Sequence, residues 1–338
     1  MKEKVKNLWK LCFDDSDEFT DMYFRLRYNN DVNIAIQSGE DIIAALQILP
    51  YPMTFGKEEI NTGYISGACT HPDYRNRGAM KELLSQAFAR MLRNDVAVST
   101  LIPAEPWLFD YYARMGYAPV FRYTPTTFSA SEHNITNEAM VLERADDYQE
   151  EAYRYLDREL RKRTYCIQHT EADFRVILAD LQLSQGAIYT LRSKDNAIAA
   201  LAIVYPAANG WHAGEIVADT PDMRSLLLQS ICEQLNIPSI QVFTPPTADR
   251  DSQVLGMARI INAKAMLQQY AAGHPEQETS IALTDHQISA NNGYYYLENG
   301  KCMSSAKRLP GSHLALTIGE LTEKILSPLH PYMSLMLN

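Results

Sequence analysis

Apolar residues recur at helical spacing over Val5–Phe13 (Leu8, Leu11, Cys12) and Asp17–Tyr28 (Phe19, Met22, Tyr23, Leu26), which predicts two opening helices. Asp14, Asp15, Ser16 and Asp17 lie between them; Ser16 or Asp17 is a natural N-cap, and the cluster reads as a solvated turn. An acidic rim that attracts an amine is its sharper reading. Strands follow at Val32–Gln37, Asp41–Pro50 and Glu59–Thr70, the second rich in Ile, Ala and Leu as a buried strand should be. Asn61-Thr62-Gly63 predicts a bulge or bend. Arg77–Arg93 is strongly amphipathic, with Met80, Leu83, Leu84, Ala87, Phe88 and Met91 on one face. A strand at Val96–Ile102, a short helix at Trp107–Met115 closed by Gly116, and a strand at Tyr117–Thr127 complete the first third.

The middle third repeats this order more loosely. A charged helix is predicted over Ala145–Thr164, strands at Ala187–Arg192, Ala197–Tyr205 and Gly210–Val217, a helix at Pro221–Leu235 and a strand at Ser239–Phe243. Thr244-Pro245-Pro246-Thr247 reads as a linker. Arg158, Arg161, Lys162 and Arg163 read as a solvated helix face rather than a phosphate or RNA patch. The last third predicts a helix at Ala263–Ala271 and strands at Thr279–Thr284, His286–Ala290 and Gly293–Glu298. Asn291-Asn292-Gly293 is a hairpin signal and Glu298-Asn299-Gly300 another turn. A final helix, Thr317–Ile325, precedes a short tail.

Composition narrows the classes. The 338 residues suggest two or three domains, and 46% hydrophobic with 21% charged residues is ordinary globular material. The net charge of −10 argues against a nucleic-acid footprint and favours cationic partners. The five cysteines, Cys12, Cys69, Cys166, Cys232 and Cys302, have no CxxC spacing, so neither a disulfide framework nor a zinc module is expected. The eight histidines have no metal-ligand spacing, and no metal is expected. The charged N-terminus lacks the apolar core of a signal peptide, and no stretch is long enough to span a bilayer. The expectation is a cytoplasmic protein without a membrane partner.

The most informative segment is Gly67-Ala68-Cys69-Thr70-His71-Pro72-Asp73-Tyr74-Arg75-Asn76-Arg77-Gly78-Ala79-Met80. It reads as a strand, a loop with two arginines and a glycine, then a long helix. Backbone N–H groups at a helix N-terminus make an anion site, Gly78 admits close backbone approach, and Arg75 and Arg77 add charge in a fork geometry. Such a loop suits a pyrophosphate. It is neither GxxxxGK[ST] nor GxGxxG.

The segment resembles the acetyl-CoA loop of the GCN5-related N-acetyltransferases, [QR]-x-x-G-x-[GA], here Arg75-x-x-Gly78-x-Met80. Within them it is similar to the Eis-like branch, P-x-x-R-x-R-G, matched by Pro72, Arg75, Arg77 and Gly78. Tyr111-Tyr112-Ala113-Arg114-Met115-Gly116-Tyr117 resembles that branch's Y-x-x-F-G-[FY], with Met115 in place of Phe. The resemblance implies an α+β fold of tandem acetyltransferase units, each a mixed, partly splayed sheet flanked by helices. It divides the chain into a catalytic domain at 1–134, a degenerate acetyltransferase-like domain at 135–247, and a sterol-carrier-protein-like α+β domain at 248–338 opened by Gly256-Met257-Ala258-Arg259.

The same resemblance implies direct transfer of an acetyl group from acetyl-CoA to a primary amine. Tyr112 would be the general acid and the C-terminal carboxylate of Asn338 the base. Cofactor contacts would come from Ala68, Cys69 and Thr70, whose strand edge offers a backbone N–H to the oxyanion, from Arg75, Asn76, Arg77, Gly78, Ala79, Met80 and Lys81, and from Trp107 and Leu108. With a thiol near pKa ~8.5 and tyrosine near ~10, transfer from Tyr112 is uphill by about 2 kcal/mol. The family implies cationic acceptors (aminoglycosides, polyamines or protein lysines) and a homo-oligomer, often a hexamer. The rival reading is a non-catalytic sensor that binds an acyl-CoA or a hydrophobic ligand.

Overall fold

In the computed structural model, which describes residues 1–130, 137, 139–247 and 250–337, the first helices are α1 (Lys2–Cys12) and α2 (Asp17–Leu26). Ser16 caps α2 by accepting from the Phe19 amide at 3.1 Å, and Asp15 accepts from the Trp9 indole at 2.7 Å. The acidic cluster is thus a cap and a turn. Strands β1 (Asn33–Ser38), β2 (Asp41–Phe55) and β3 (Glu58–Thr70) form an antiparallel set, followed by α3 (Ala79–Arg93), β4 (Val98–Leu101), α4 (Pro106–Ala113) and β5 (Ala118–Ser129). β2 runs past Pro50, where the sequence reading ended it. β1 covers the far edge of β2 only to Ile48, so Pro50 and Pro52 sit where that edge is open and proline is tolerated.

The bulge is not at Asn61-Thr62-Gly63, which pair regularly with Pro52, Tyr51 and Pro50. It lies at Gly67-Ala68: Cys69 pairs with Ala45 and Ser66 with Gln47, leaving two β3 residues opposite Leu46. Gly67 has φ +58°, and a Cβ there would stand 2.0 Å from the Trp9 ring. Gly67→Ala is expected to destabilise by roughly 2–5 kcal/mol, combining left-handed strain with overpacking. Urea unfolding measures it, and a loss below about 0.5 kcal/mol contradicts it.

The chain divides into two compact units, one of Met1–Phe121 with Val254–Pro331 and one of Arg122–Gln253 with Tyr332–Leu337. The second unit contains β6 (Met140–Ala145), α5 (Glu150–Arg161), α6 (Glu171–Leu183), β7 (Ala187–Ser193), β8 (Ile198–Ala207), β9 (Gly210–Ala218), α7 (Pro221–Leu235) and β10 (Ser239–Thr244). Its strand order is β5-β10-β9-β8-β7-β6, with only β9 and β10 parallel among the described pairs. The helix expected over Ala145–Thr164 is present as the shorter α5; its expected first residue, Ala145, instead ends β6, an unexpected strand that zips antiparallel onto β7. α6 was not anticipated; it starts at a reciprocal capping box between Thr170 and Asp173.

The basic face at 158–163 is solvated only in part. Arg161 pairs with Asp157, and Arg158 and Lys162 with Glu159. Arg163 turns inward to the fully buried Glu215, donating to both carboxylate oxygens at 2.9 and 2.8 Å. Glu215 also accepts from Ser334 Oγ at 2.7 Å, and Tyr332 bridges to Cys166, so the tail segment 332–337 is part of this unit's core.

β11 (Gln253–Ile260) returns to the first unit and pairs antiparallel with β4, Met257 opposite Leu101 and Ile260 opposite Val98. The order there is β1-β2-β3-β4-β11, with β3 and β4 parallel. α3 packs Leu83, Leu84, Phe88 and Met91 against Leu46 and Ile65 of the sheet. α8 (Ala263–Gly273), β12 (Thr279–Thr284), β13 (Gly293–Glu298), β14 (Lys301–Ser305), β15 (Leu314–Thr317) and α9 (Ile318–Leu326) follow, the strands forming a separate sheet in the order β14-β13-β12-β15. The strand expected at His286–Ala290 is absent from that sheet. Asp285 gathers the amides of Gln287 and Ile288 at 2.9 and 3.1 Å and folds the segment into a turn. No described helix is long and apolar enough to cross a membrane.

Candidate active site

The site is built where β3 parts from β4. Their pairing spans Thr62–Tyr64, and beyond it β3 carries the Gly67-Ala68 bulge and ends at Thr70. Parallel strands that diverge leave backbone N–H and C=O groups facing a cleft. Two threonine hydroxyls in these strand ends, Thr70 Oγ1 and Thr100 Oγ1, are buried without a hydrogen-bond partner.

From Thr70 the chain makes a 3-10 turn at Pro72–Tyr74, held by the His71 Nδ1 atom accepting from Asp73 N at 3.2 Å. Asn76 and Gly78 then take left-handed backbone, at φ 61° and 85°. Gly78 is the N-cap of α3 and offers no side-chain acceptor, so the first-turn amides of Ala79, Met80 and Lys81 are not capped by it. A Cβ on Gly78 would meet nothing within 4 Å, so the space before those amides is open. Arg75 is exposed and donates from Nε to the Thr70 carbonyl at 3.3 Å. Arg77 lies over the Tyr74 ring at 5.3 Å. The loop fits an anion of pyrophosphate type: two guanidinium groups, uncapped helix amides and an uncrowded approach.

Tyr112, on α4, is 7% exposed, and burial pushes its phenol up to about 12. Its ring packs edge-on against Tyr111 and Tyr117, at 5.4 and 5.7 Å. Among the described residues its Oη has no hydrogen-bond partner, whereas Tyr117 Oη is paired with Ser99 Oγ at 2.7 Å. Ala68, Ala79, Met80 and Leu108 pack against the same core as Tyr112, which joins bulge, helix start and tyrosine in one cluster. Cys69 is buried on β3 and Asn76 and Lys81 are exposed. Trp107 stands apart, 66% exposed on the first turn of α4. Asn338 lies outside the described residues.

One residue of this site was invisible to the motifs. Arg259 of β11 is fully buried and donates from Nε to the Met115 carbonyl at 2.8 Å, just past the α4 end that carries Tyr112. Its other nitrogens reach the Ile260 carbonyl and Asp285 Oδ1, at 2.9 and 2.7 Å, and its guanidinium lies 4.3 Å from the Phe88 ring centroid. Gly116 beside it has φ +88°, and a Cβ would stand 2.6 Å from Ile318. No local motif singles out Arg259 within Gly256-Met257-Ala258-Arg259, because its partners lie 144 and 26 residues away.

Comparison with known proteins gives the architecture its relatives. Residues 2–120 match the family model of the acetyltransferase (GNAT) domain. No curated protein matches the sequence. Among solved structures, a GCN5-related N-acetyltransferase from Kribbella flavida superposes with a TM-score of 0.77 at 16% identity, covering 99% of this chain and 95% of that one. One from Anabaena variabilis gives 0.77 at 17% identity over 98% and 96%. Eis1 from Mycobacterium abscessus gives 0.73 at 11% identity over 96% and 86%. Residues 2–120 thus match the acetyltransferase (GNAT) domain model, and the fold over nearly the whole chain is similar to that of these GCN5-related N-acetyltransferases and of Eis1.

Proposed function

We propose that the chain is an acetyl-CoA-dependent N-acetyltransferase that acetylates a primary amine by direct attack in a ternary complex. The observation that carries this reading is the parting of β3 from β4 beyond Tyr64, with the uncapped start of α3 at its mouth and Tyr112 on the same core. The amides of Ala79, Met80 and Lys81, with Arg75, Asn76, Arg77 and Gly78, would hold the pyrophosphate. Ala68, Cys69 and Thr70 would present the strand edge, and Trp107 and Leu108 would flank the pantetheine. Bound acetyl-CoA supplies an activated acetyl thioester.

Tyr112 serves as proton donor to the departing thiolate. Against a thiol near ~8.5 its phenol at about 12 makes full transfer uphill by 12 − 8.5 = 3.5 pKa units, about 5 kcal/mol. That exceeds the roughly 2 kcal/mol expected from an unperturbed tyrosine. Tyr112 therefore works best as a short hydrogen-bond donor whose proton moves late, a role suited to an Oη left without a protein partner.

The amine needs a base, and the resemblance assigns it to the carboxylate of Asn338. One glycine added after Asn338 displaces that group by a full residue and is expected to lower kcat with little change in acetyl-CoA binding. Unchanged turnover removes the assignment.

The proposed enzyme divides at 1–134, 135–247 and 248–338, the last domain sterol-carrier-like; it takes a cationic acceptor, in keeping with the net charge of −10, and works as a cytoplasmic homo-oligomer, for which a hexamer is the form to test by light scattering.

A thermal-shift titration with acetyl-CoA tests the core of the proposal. Ligand at ~100 times its Kd adds about 2.7 kcal/mol to the unit that binds it. The shift is expected in the native chain and absent in Arg75→Ala/Gly78→Glu. No shift at millimolar acetyl-CoA overturns the acetyltransferase reading in favour of a sensor of another ligand.

A further inference from the structure

Cys12 closes α1 and is half-buried, while Cys69 lies buried on β3, one residue past the bulge. As a thiol, Cys12 donates to the Thr70 carbonyl at 3.4 Å. Arg75 Nε donates to the same oxygen at 3.3 Å. Cys69 immediately precedes Thr70 on β3, and the two thiols act on each other's ionisation. The Cys12 sulfur and the Arg75 guanidinium therefore meet at the carbonyl of the residue that follows Cys69, with Cys12 half-buried and Cys69 buried. Cys166 and Cys232 are buried, and Cys302, on β14, is half-buried like Cys12.

The environments separate the roles. A hydrogen bond from Cys69, then the Arg75 charge, draw the Cys12 thiol down to about 7 against its partial burial. Cys69 is pushed up by Cys12 and by burial. Burial pushes Cys302 up to about 11. Cys69 and Arg75 are the titratable groups that act on Cys12. A thiolate beside a protonated, sheltered thiol is the arrangement of an attacking and a resolving cysteine.

We propose that Cys12 and Cys69 form a modification site for hydroperoxides, Cys12 attacking and Cys69 resolving. The Cys12 thiolate attacks the outer oxygen of the peroxide. An S–O bond forms, the O–O bond breaks, and the departing alkoxide takes a proton from solvent. Cys12 is oxidised to a sulfenic acid and the peroxide is reduced to an alcohol, or to water for hydrogen peroxide. The Cys69 sulfur then attacks Cys12; S–S forms, S–O breaks, and the Cys69 proton leaves with the hydroxyl as water. The disulfide removes the Cys12 donor from the Thr70 carbonyl and tightens the strand end that opens the loop, so the oxidised protein binds acetyl-CoA more weakly. That last consequence rests on the acetyltransferase reading; the thiol chemistry does not.

The reduced full-length chain is treated with a small excess of hydrogen peroxide and mapped by mass spectrometry without reduction. A Cys12–Cys69 linked peptide, lost on adding dithiothreitol and absent in Cys12→Ser, is expected. Cys12→Ser is expected to keep basal turnover and lose peroxide sensitivity. With iodoacetamide at pH 7.5, Cys12 is expected to react several-fold faster than Cys302, because Arg75 and Cys69 draw its thiol down whereas burial pushes Cys302 up. Equal rates at Cys12 and Cys302, or over-oxidation of Cys12 without a link to Cys69, overturn the proposal. A linked peptide in a protein that fails to bind acetyl-CoA even when reduced supports the dithiol and overturns the acetyltransferase reading instead.

Discussion

Arg259→Leu is expected to destabilise the unit of Met1–Phe121 and Val254–Pro331 by about 3–5 kcal/mol, the range for breaking a buried ion pair from one side. Both Arg259 and Asp285 have side chains without solvent exposure. Leucine would leave the Asp285 carboxylate buried with only the Gln287 and Ile288 amides and Asn291 Nδ2 for company. It would also orphan the Met115 and Ile260 carbonyls and remove the cation from the face of Phe88. Burial alone pushes the guanidinium's pKa down, and Asp285 opposes that shift, so the pair is interdependent. Arg259→Lys keeps a charge for Asp285 but loses the fork that also reaches Met115, and an intermediate loss is expected. Trp9 and Trp107 report on this unit once Trp211, the third tryptophan, is changed to phenylalanine. Urea unfolding by fluorescence then isolates the transition. A loss below about 1 kcal/mol would mean that the pair is solvated in solution.

Tyr112→Phe is expected to lower kcat by roughly 10²–10⁴-fold, the usual range for a positioned acid, with the KM for acetyl-CoA nearly unchanged. The ring fills the same space, and Tyr112 Oη has no partner among the described residues to leave orphaned. Stability should therefore shift by less than about 1 kcal/mol. The pH profile carries its own sign. With the phenol held at about 12, the acid form persists throughout the neutral and mildly alkaline range. A tyrosine at its ordinary value near ~10 would begin to lose its proton two units earlier. The kcat of the unsubstituted chain, on the proposed reaction, is thus expected to show no Tyr112-dependent fall up to about pH 11. Undiminished kcat in Tyr112→Phe would remove the acid role altogether.

Local signals were legible and distant ones were not. α7, β12 and β13 occupy the residues the pattern predicts, because their ends are set by neighbours. Thr220 caps α7 with Pro221 at its first position, and Asn299 and Gly300 take the left-handed turn after β13. β6, β14 and β15 are mostly exposed strands whose side chains announce little; their partners define them. The bulge was misplaced for a related reason. Gly63 is glycine to admit Met91, whose Cε would stand 2.9 Å from a Cβ, whereas Gly67 needs its φ of +58°. Both are glycines in a strand, and only the pairing distinguishes them. At the candidate site, Arg75–Gly78 and Tyr112 stood out as contiguous motifs. Arg259 and Cys12 did not, since each acts through contacts to chain far away in sequence.

The strand beside β4 has a consequence for biogenesis. Met257 pairs with Leu101, so 257 − 101 = 156 residues must be added after β4 before its second edge is covered. At ~5–20 residues per second a ribosome needs roughly 8–31 s for that interval. For that time β4 of the nascent chain exposes an edge of unpaired backbone N–H and C=O groups, the kind of surface that captures other chains. The segment that matches the family model therefore lacks β11, the strand that covers β4 in the folded chain. A fragment ending near residue 120 would keep that β4 edge open, which the full chain covers with Met257–Ile260.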